Sequence, residues 1–507
     1  MSREIELKLR LSPRQARRFA ANPLLAGLSP EKSCLFNTYF DTPDLELYKR
    51  GIALRLRRKG SSVWLMTVKG GESGAGGLAQ RREWEAPTQP GCFDFSIVGD
   101  TELRAFLEAR QERLAAIFTT DFTRTAWLLK TPDATLELAL DYGEVKATTL
   151  KGDRKLLREA LCEVEIELLE GRSTDVLFDV AIRLATDFQL HPEIVSKAER
   201  GYALAGSTRA LPVKAYYAKI DRGTSPVEAF RAVASSCLIQ LQRNEAGAVA
   251  GDNPEYLHQA RVAIRRLRSA FRVFRPVLSE GFLDTYLPRW KALSTCLGEA
   301  RDWDVFLADS LLPLEAAFPG NPELASLRRC AEANRQAAVK AAAGALTQVA
   351  YSRLLLAFSA ALLRETEPTI ARGTEVPSAS DLRRFAVQRL QKRSDRIVSL
   401  ARESASMSVE QRHRLRIEFK QLRYTLEFFT PILPRARLAR YQTVLARIQE
   451  VAGRLNDQAM AVRLIQQCRP GVWGESLIGG WFAGQTQVLL SSLDAELRRF
   501  MRHPRAW

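Results

Sequence analysis

The chain of 507 residues is 46% hydrophobic and 26% charged. One hydrophobic core does not extend over this length, so we expect two or three domains. No run of eighteen apolar residues occurs, and charged residues from Arg3 onward stand where a signal peptide would be apolar. The sequence therefore predicts no membrane span and no secretory signal.

The formal net charge of +17 is unevenly distributed. Residues 1–206 contain 30 basic and 30 acidic residues, so the whole excess lies in residues 207–507. We therefore expect a polyanionic partner for the C-terminal part. The seven cysteines include no CxxC pair, which predicts reduced thiols and a cytoplasmic location.

The first predicted strand, Arg3–Leu11, alternates polar and apolar side chains without a break. Successive side chains of a strand point to opposite faces, so this strand has one apolar and one charged face. Similar strands are predicted at Cys34–Phe40, Ala53–Arg57, Trp64–Lys69, Arg81–Glu85, Phe122–Trp127, Thr135–Asp141 and Leu161–Leu168. Helices are predicted near Pro13–Ala21, Thr101–Leu114 and Ser173–Asp187, and the segment Ser196–Tyr202 follows them.

Eight such strands can close into an antiparallel sheet whose apolar faces pack against outer helices and whose charged faces line an interior. Buried charges are tolerated there when both signs interleave and a ligand completes the balance. Arginine grips phosphate oxygens bidentately, and carboxylates suit hard divalent cations. Cations and carboxylates in one cavity are the parts needed for metal-assisted phosphoryl transfer.

The order of these charged residues along the chain resembles the CYTH family. The resemblance rests on Glu4-x-Glu6-x-Lys8, Arg55-x-Arg57, Lys69, Arg124, Asp141, Glu163-x-Glu165 and Lys197-x-x-Arg200. These triphosphate tunnel metalloenzymes include inorganic triphosphatases, thiamine triphosphatases and class IV adenylate cyclases. The resemblance covers residues 1–206 and implies an eight-stranded antiparallel tunnel that takes a triphosphate substrate.

The resemblance also implies roles for individual residues. Mg²⁺ or Mn²⁺ is expected on Glu4, Glu6, Asp141, Glu163 and Glu165, with Glu137 or Glu167 assisting. The catalytic cations that hold the phosphate chain are expected to be Lys8, Arg55, Arg57, Lys69, Arg124 and Lys197. Arg81 and Arg200 are further substrate-binding candidates, although either can instead form a structural ion pair. The sequence does not single out the carboxylate that activates water, and we interpret His191 as structural.

Residues 207–225 lack periodicity and are predicted to be a linker, whereas residues 226–507 follow the 3.6-residue spacing of helices. This helical part contains an internal repeat, because His258–Arg268 recurs as His413–Arg423 at an offset of 155 residues. The same offset relates Phe274 to Phe429, Pro276 to Pro431, Leu278 to Leu433, Tyr286 to Tyr441, Gly298 to Gly453 and Asp302 to Asp457. The fold class is therefore α+β multidomain, with two pseudo-repeated helical bundles (about 226–375 and 380–507) after the tunnel.

Each repeat carries a basic stripe headed by a histidine. The stripes are His258, Arg261, Arg265 and Arg268 in the first copy, and His413, Arg416, Lys420 and Arg423 in the second. On a helix the four positions fall within an arc of about 80°. A basic stripe is ordinarily a solvated face, but duplication with a matched histidine favours a shared groove for a polyanion. Asp302 and Asp457, at matched positions, are expected to orient these cations.

This part resembles the CHAD family, the conserved-histidine α-helical domain, whose members bind inorganic polyphosphate. The resemblance spans about residues 219–507, and the second copy departs from the first by having Lys420 and Gln421. It implies that the two stripes bind the polymer. A metal-binding role for the two histidines is an alternative that no matched ligand supports.

Together the two resemblances predict metal-dependent hydrolysis of inorganic tripolyphosphate, or of polyphosphate ends, in the cytoplasm or at polyphosphate granules. The alternatives are thiamine triphosphate hydrolysis, cyclic AMP formation and polyphosphate binding without turnover. Nucleic-acid binding is disfavoured, because no base-stacking aromatics interleave with the arginine stripes. The sequence predicts neither the preferred metal nor the oligomeric state.

Overall fold

The computed structural model describes residues 2–60, 62–71, 74–150, 154–206, 211–363, 382–402, 407–468, 472–503 and 505–507. The chain divides into two compact units. Unit 1 comprises Met1–Pro212 and Gln348–Glu367, and unit 2 comprises Val213–Thr347 and Pro368–Trp507.

The strands all lie in the first two hundred residues. They are β1 (Ser2–Arg10), β2 (Glu31–Asp41), β3 (Ile52–Lys59), β4 (Val63–Gly70), β5 (Leu78–Pro87), β6 (Ala115–Lys130), β7 (Ala134–Thr148), β8 (Leu156–Gly171) and β9 (His191–Pro192).

Short helices accompany the strands, and longer ones follow. They are α1 (Pro13–Phe19), α2 (Glu46–Lys49), α3 (Thr101–Glu108), α4 (Asp175–Leu184), α5 (Lys197–Leu204), α6 (Pro226–Ala250), α7 (Pro254–Phe274), α8 (Glu280–Val305), α9 (Leu312–Ala317), α10 (Pro322–Thr347), α11 (Val349–Leu363), α12 (Leu382–Ala401), α13 (Val409–Phe429), α14 (Arg435–Cys468) and α15 (Val472–Arg502). A π-helical stretch, Phe306–Leu311, joins α8 to α9.

The first strand closes the barrel, because β1 pairs with β5 on one side and β8 on the other. Leu7 lies opposite Leu78 on β5 and opposite Ile166 on β8. The remaining order is β5-β4-β3-β2-β6-β7-β8, with every pairing antiparallel. The predicted eight-stranded antiparallel tunnel is thus confirmed, and the two-residue strand β9 adds to β1 outside this ring.

The alternation of β1 separates an outer core from a charged interior. Leu7 and Leu9 are fully buried in an apolar cluster that includes Leu177 and Phe178 of α4. The intervening Lys8 points the other way, into the barrel. The pattern read from sequence thereby fixes which face of the strand meets the outer helices.

Helix α11 belongs to unit 1, although in sequence it lies among the helices of the C-terminal part. Its Leu356 and Ala360 join the apolar cluster around α4. Ser352 Oγ lies 3.0 Å from Nδ1 of His191 on β9. His191 is therefore a buried structural residue, as interpreted from the sequence.

Unit 2 repeats its helices at the offset found in the sequence. Helix α7 and helix α13 match end for end at 155 residues, and α8 and α14 begin 155 residues apart. Phe274 and its repeat equivalent Phe429 lie with ring centroids 5.5 Å apart. Equivalent positions that contact each other are what a pseudo-twofold arrangement requires, so the predicted pair of helical bundles is confirmed.

Two details differ from the sequence-based expectations. Cys330 and Cys468 are joined by a disulfide, so the prediction that all thiols are reduced is wrong for this pair, whose partners lie 138 residues apart. The predicted helix Thr101–Leu114 ends at Glu108 and is followed by a 3₁₀ turn. Within the described residues no single helix has the length and apolarity to cross a membrane, and α10 and α11 meet these criteria only when taken together.

Candidate active site in the barrel and basic cavity in the helical unit

The barrel encloses a cavity of about 410 Å³ whose wall is mostly charged. Among its described lining residues, seven are acidic and seven are basic. The acidic ones are Glu4, Glu6, Glu83, Glu85, Glu137, Glu165 and Glu167, and the basic ones are Lys8, Arg55, Arg57, Lys69, Arg81, Arg124 and Lys197.

Strands β1, β4 and β5 supply one part of this wall. The Lys69 ammonium donates hydrogen bonds to both carboxylate oxygens of Glu4, at 2.7 and 2.9 Å, and lies 3.2 Å from Glu83. Lys8 Nζ lies 3.1 Å from Glu6 on the same strand. The two signs interleave because the register places Lys69 opposite Glu83 and Glu4 opposite Arg81.

Helix α5 delivers Lys197 to the cavity. Ser196 starts the helix with a capping box, in which its side chain accepts from the Glu199 amide while the Glu199 carboxylate accepts from the Ser196 amide. The Lys197 ammonium then meets three buried carboxylates, at 2.7 Å from Asp141 and 2.8 Å from Glu165, with Glu163 also in contact.

Carboxylate oxygens of Asp141, Glu163 and Glu165 lie within 4.8 Å of one another. Arg124 shares this group, donating to both oxygens of Asp141 and also binding Glu165. Burial raises the pKa of Glu163, whereas Lys197 and Arg124 outweigh the burial of Glu165 and hold its pKa well below the usual value.

Arg55 and Arg57 project from β3 beside Tyr39 of β2. Burial alone would raise the pKa of Tyr39. The positive charge of Arg55 outweighs this effect and keeps the pKa of Tyr39 below its ordinary value. Burial and the neighbouring Arg55 and Arg124 cations lower the pKa of Arg57 to about 10. Arg57 donates from Nε to Asn37, but its charge has too few anionic neighbours. An anion in the cavity would stabilise this cluster.

Glu167 lies among an excess of negative charge, whereas Arg57 lies among an excess of positive charge. Burial, followed by the charge of Glu4, raises the pKa of Glu167 to about 8, with Glu6 and Glu137 adding to the effect. The register explains the crowding, because Glu167 lies opposite both Glu6 on β1 and Glu137 on β7. Carboxylates gathered in this way provide oxygen donors for a cation.

A second cavity, of about 1230 Å³, lies in unit 2. Seven of the eight predicted stripe residues line it: His258, Arg261, Arg265, His413, Arg416, Lys420 and Arg423. The eighth, Arg268, lies at the edge of the stripe and donates to Ser294 Oγ at 2.9 Å. The pairing of α7 with α13 thus brings the two stripes into one basic cavity.

The charge of the basic cavity is only partly compensated, because six lysine and arginine side chains share its described lining with five carboxylates, those of Asp302, Asp309, Glu427, Glu450 and Asp457. Burial, followed by the charges of Arg416 and Arg265, lowers the pKa of Lys420 to about 6. Asp302 lies 3.5 Å from Arg261, consistent with the orienting role predicted for it. Among the described residues, buried Nδ1 of His258 and Nε of Arg416 and Arg423 form no hydrogen bond. These groups can bind an anion that enters the cavity.

The charged barrel and the basic cavity lie in regions that match two different protein families. Residues 2–202 match the CYTH domain, and residues 232–466 match the CHAD domain. The chain is a CYTH domain followed by a CHAD domain. The charged barrel therefore lies in the CYTH domain, and the basic cavity lies between the two repeats of the CHAD domain.

Relatives of each domain are known. Over 210 residues the chain is 31% identical to an inorganic triphosphatase of Haemophilus influenzae, a match that spans 40% of this chain and 55% of that protein. It is also similar to the crystal structure of the CHAD domain from the plant Ricinus communis, with 33% identity, a TM-score of 0.49, and coverage of 59% of this chain and 99% of that one. A putative adenylyl cyclase from Hippeastrum, described as having a dominant triphosphatase activity, shares 18% identity, with a TM-score of 0.30 and coverage of 41% and 98%.

Most of the predicted CYTH site residues meet in the tunnel, but three do not line it. Asp141 and Glu163 lie behind the wall, where they hold Lys197. Arg200 does not line the cavity: it binds Glu159 and the carbonyl of Ala160 on β8, and it lies 3.6 Å from the buried Glu163. Arg81, the other uncertain candidate, does line the cavity.

Some lining residues were not identified from the sequence. Tyr39 and Phe122 of the tunnel come from strands whose alternation was recognised, but neither aromatic residue was singled out. Glu83 and Glu85 share the inward face of β5 with Arg81, and that shared face was the signal that could have identified them. In unit 2, Arg301 and Tyr217 line the basic cavity without belonging to either stripe, and Tyr217 precedes the residues that match the CHAD domain.

Proposed function

We propose that the CYTH domain hydrolyses inorganic tripolyphosphate, or the end of a longer polyphosphate, with Mg²⁺ or Mn²⁺, and that the CHAD domain binds polyphosphate. The main support is the tunnel wall, in which 14 of the 19 lining residues are charged. We further propose a cytoplasmic location with association to polyphosphate granules.

The charge balance of the tunnel supports a divalent cation. The seven carboxylates of the wall offset its seven cationic groups, so the wall has no net positive charge with which to neutralise a polyphosphate. Glu4, Glu6, Glu137, Glu165 and Glu167 of this wall would hold it, and Glu165 also belongs to the group, with Asp141 and Glu163, whose carboxylate oxygens lie within 4.8 Å of one another. When bound, such a cation neutralises phosphate charge and lowers the pKa of a coordinated water.

The chain's own cations hold the substrate. Arg57, short of anionic neighbours beside Arg55 and Arg124, would grip phosphate oxygens bidentately. Lys8 and Lys69 would act as point charges along the chain. Hydrolysis adds water to the terminal phosphorus and breaks the phosphoanhydride bond, and these cations stabilise the charge that moves onto the leaving pyrophosphate.

The composition of the wall favours an inorganic substrate over an organic one. Among the described lining residues of the tunnel, the aromatic ones are Tyr39 and Phe122. Tyr39 is already stacked on Phe118, with ring centroids 4.5 Å apart. Thiamine triphosphatase and adenylate cyclase activities need an apolar surface for a ring, and this wall provides little.

Phosphate release tests the tunnel. We expect the full chain with Mg²⁺ or Mn²⁺ to release phosphate from tripolyphosphate, and Lys8→Ala or Glu6→Ala to reduce turnover by at least about 100-fold, because each removes a buried charge from the substrate cavity. Arg82→Ala, which removes an exposed cation of β5 that pairs with Asp100, is the matched control and should stay near wild type. Wild-type turnover in both tunnel variants would refute the proposal, as would faster reaction with thiamine triphosphate or ATP in the same panel.

Polyphosphate binding is tested separately on the CHAD domain. Binding by the full chain should weaken steeply with salt, as expected for a partner held by phosphate contacts. Competition between polyphosphate and RNA at fixed salt distinguishes a polyphosphate partner from a nucleic acid. If the chain binds polyphosphate without releasing phosphate from any substrate, it is a binding module and not a hydrolase.

A further inference from the structure

The basic cavity of the CHAD domain has a second kind of wall. Besides the two stripes, its lining includes apolar and aromatic side chains: Tyr216, Tyr217, Val305, Phe306, Leu445, Met460 and Ala461. Inorganic polyphosphate presents oxygen atoms along its whole length and makes little use of aromatic faces. A ligand that combines phosphates with a ring would use both walls.

The segment that carries the two tyrosines is held through its backbone by buried polar side chains. Val213 exchanges two backbone hydrogen bonds with the Asn244 side chain, at 3.0 and 2.9 Å, and the Tyr216 carbonyl accepts from Arg266 at 3.1 Å. Asn244 is 0% exposed and Arg266 is 2% exposed. The extended segment 213–217 is therefore fixed to α6 and α7.

This anchoring leaves both rings accessible. Tyr216 is 42% exposed and Tyr217 is 54% exposed, yet both line the cavity that contains Arg416 and Arg423. Leaving large aromatic surfaces in water is unfavourable, so an exposed aromatic pair on an anchored segment beside Arg416 and Arg423, whose buried Nε atoms form no hydrogen bond, indicates a binding surface.

We propose that this cavity binds nucleoside polyphosphates, with the base stacked on Tyr217 and Tyr216 and the phosphates on Arg416, Lys420 and Arg423. The inference rests on the proposed polyphosphate binding at the same cations. The cavity of about 1230 Å³ is larger than the roughly 300–1,000 Å³ typical of small-molecule sites, so base, sugar and phosphates fit together. Stacking on an aromatic ring is tolerant of base identity, so the class of ligand is a nucleotide without a fixed base.

Comparing the binding of ATP with that of tripolyphosphate separates the contribution of the aromatic side chains of the cavity from that of its cations. Calorimetry would use the full chain carrying Lys8→Ala, which disables the tunnel, in EDTA so that neither ligand is hydrolysed. Tyr217→Ala should weaken ATP binding about tenfold, the loss expected for one stacked base, and leave tripolyphosphate binding unchanged. Tyr217→Phe keeps the ring and should retain ATP binding. Tyr142→Ala, which removes a tyrosine that is 49% exposed on β7 of the barrel, is the matched control and should change neither affinity.

The outcomes separate this inference from the proposed function. ATP that does not bind, or binds equally well to Tyr217→Ala, overturns the nucleotide inference while polyphosphate binding stands. An equal loss of affinity for ATP and for tripolyphosphate in Tyr217→Ala also overturns the nucleotide inference. In that case the ring would maintain the shape of the cavity and would not stack on a base. Arg423→Ala should weaken the binding of both ATP and tripolyphosphate. If tripolyphosphate binds Arg423→Ala with unchanged affinity, the proposed polyphosphate site itself is wrong.

Discussion

The ammonium nitrogen of Lys197 lies 2.7 Å from a carboxylate oxygen of Asp141, a residue that is fully buried behind the tunnel wall. Lys197 comes from a helix and Asp141 from strand β7, so the pair joins two elements that are 56 residues apart in sequence. Glu163 and Glu165 of β8 complete the cluster around the same ammonium. The cluster fixes Lys197 at the cavity, while Asp141 and Glu163 themselves do not line it.

Replacing Lys197 with Met should destabilise the CYTH domain. The variant leaves three buried carboxylates without their shared cation, a change that costs about 3–5 kcal/mol when a buried pair is broken. Urea unfolding at pH 7 measures the loss. Arg10→Met, which removes an exposed cation 4.0 Å from Glu193, is the control and should change stability by less than about 0.5 kcal/mol.

The difference between the Lys197 variant and wild type should narrow in acid. The cations hold the pKa of Asp141 below its ordinary value, so in the wild type its contribution is present above the unfolded pKa and disappears as the pH falls through the folded one. In the variant, protonation of Glu163 and its neighbours relieves their repulsion. A gap that stays constant from pH 7 to pH 4 would contradict this account.

The affinity of the CHAD domain for polyphosphate should fall as the pH rises above about 6. The pKa of Lys420 is lowered to about 6 by burial and by Arg416, Arg265 and Arg261, with Asp457 opposing them. A bound polyanion raises this pKa, because it stabilises the charged form of Lys420. Below pH 6 Lys420 is charged and contributes to polyphosphate affinity, and this contribution is lost as the pH rises. Titration of binding between pH 5 and pH 9 measures the dependence.

Two substitutions isolate the contribution of Lys420 from that of His258 and His413, which line the same cavity. Lys420→Met should bind more weakly than wild type at pH 5.5 and about equally at pH 8.5. Lys420→Arg keeps a permanent positive charge. Its affinity for polyphosphate should therefore depend less on pH than that of the wild type, as should the affinity of Lys420→Met. Identical pH profiles in all three proteins would show that Lys420 does not titrate in this range.

Arg268 and Arg423 occupy matched repeat positions but should differ in polyphosphate binding. Arg423 lines the cavity, whereas Arg268 donates to Ser294 on α8. Arg423→Ala should therefore weaken binding by roughly 10- to 150-fold, as expected for a charge-assisted hydrogen bond worth about 1.5–3 kcal/mol, and make the affinity less dependent on salt. Arg268→Ala should leave both quantities near wild type. Equal losses in the two variants would mean that the polymer contacts the whole stripe.

Gly76→Ala should destabilise unit 1 through helix α11. Gly76 has φ +68°, and a Cβ there would clash with the buried side chain of Ser359. Gly91 has a similar φ of +75° with open space around it, so Gly91→Ala carries only the left-handed backbone cost of about 1–2 kcal/mol. Thermal unfolding should show a further loss of about 1–3 kcal/mol for Gly76→Ala. Equal shifts in the two variants would show that α11 adapts to the added methyl group.

The sequence was sufficient for the barrel and for most of its charged wall. A period of two residues fixes which side chains share a face, so Glu6 and Lys8 were predicted to point inward before any strand partner was known. The helical repeat was equally visible, because one offset relates His258 to His413 and predicts the pairing of equivalent helices.

The tertiary structure decided which inward or stripe residues line a cavity. Asp141 and Glu163 alternate correctly but lie behind Lys197, since only the packing of α5 against the barrel sets how deep each carboxylate lies. The return of α11 to unit 1 and the Cys330–Cys468 disulfide join residues far apart in sequence. Periodicity records only the direction of a side chain relative to its own strand or helix. The distance to side chains on other elements, which determines burial, pairing and pKa, arises only when those elements pack.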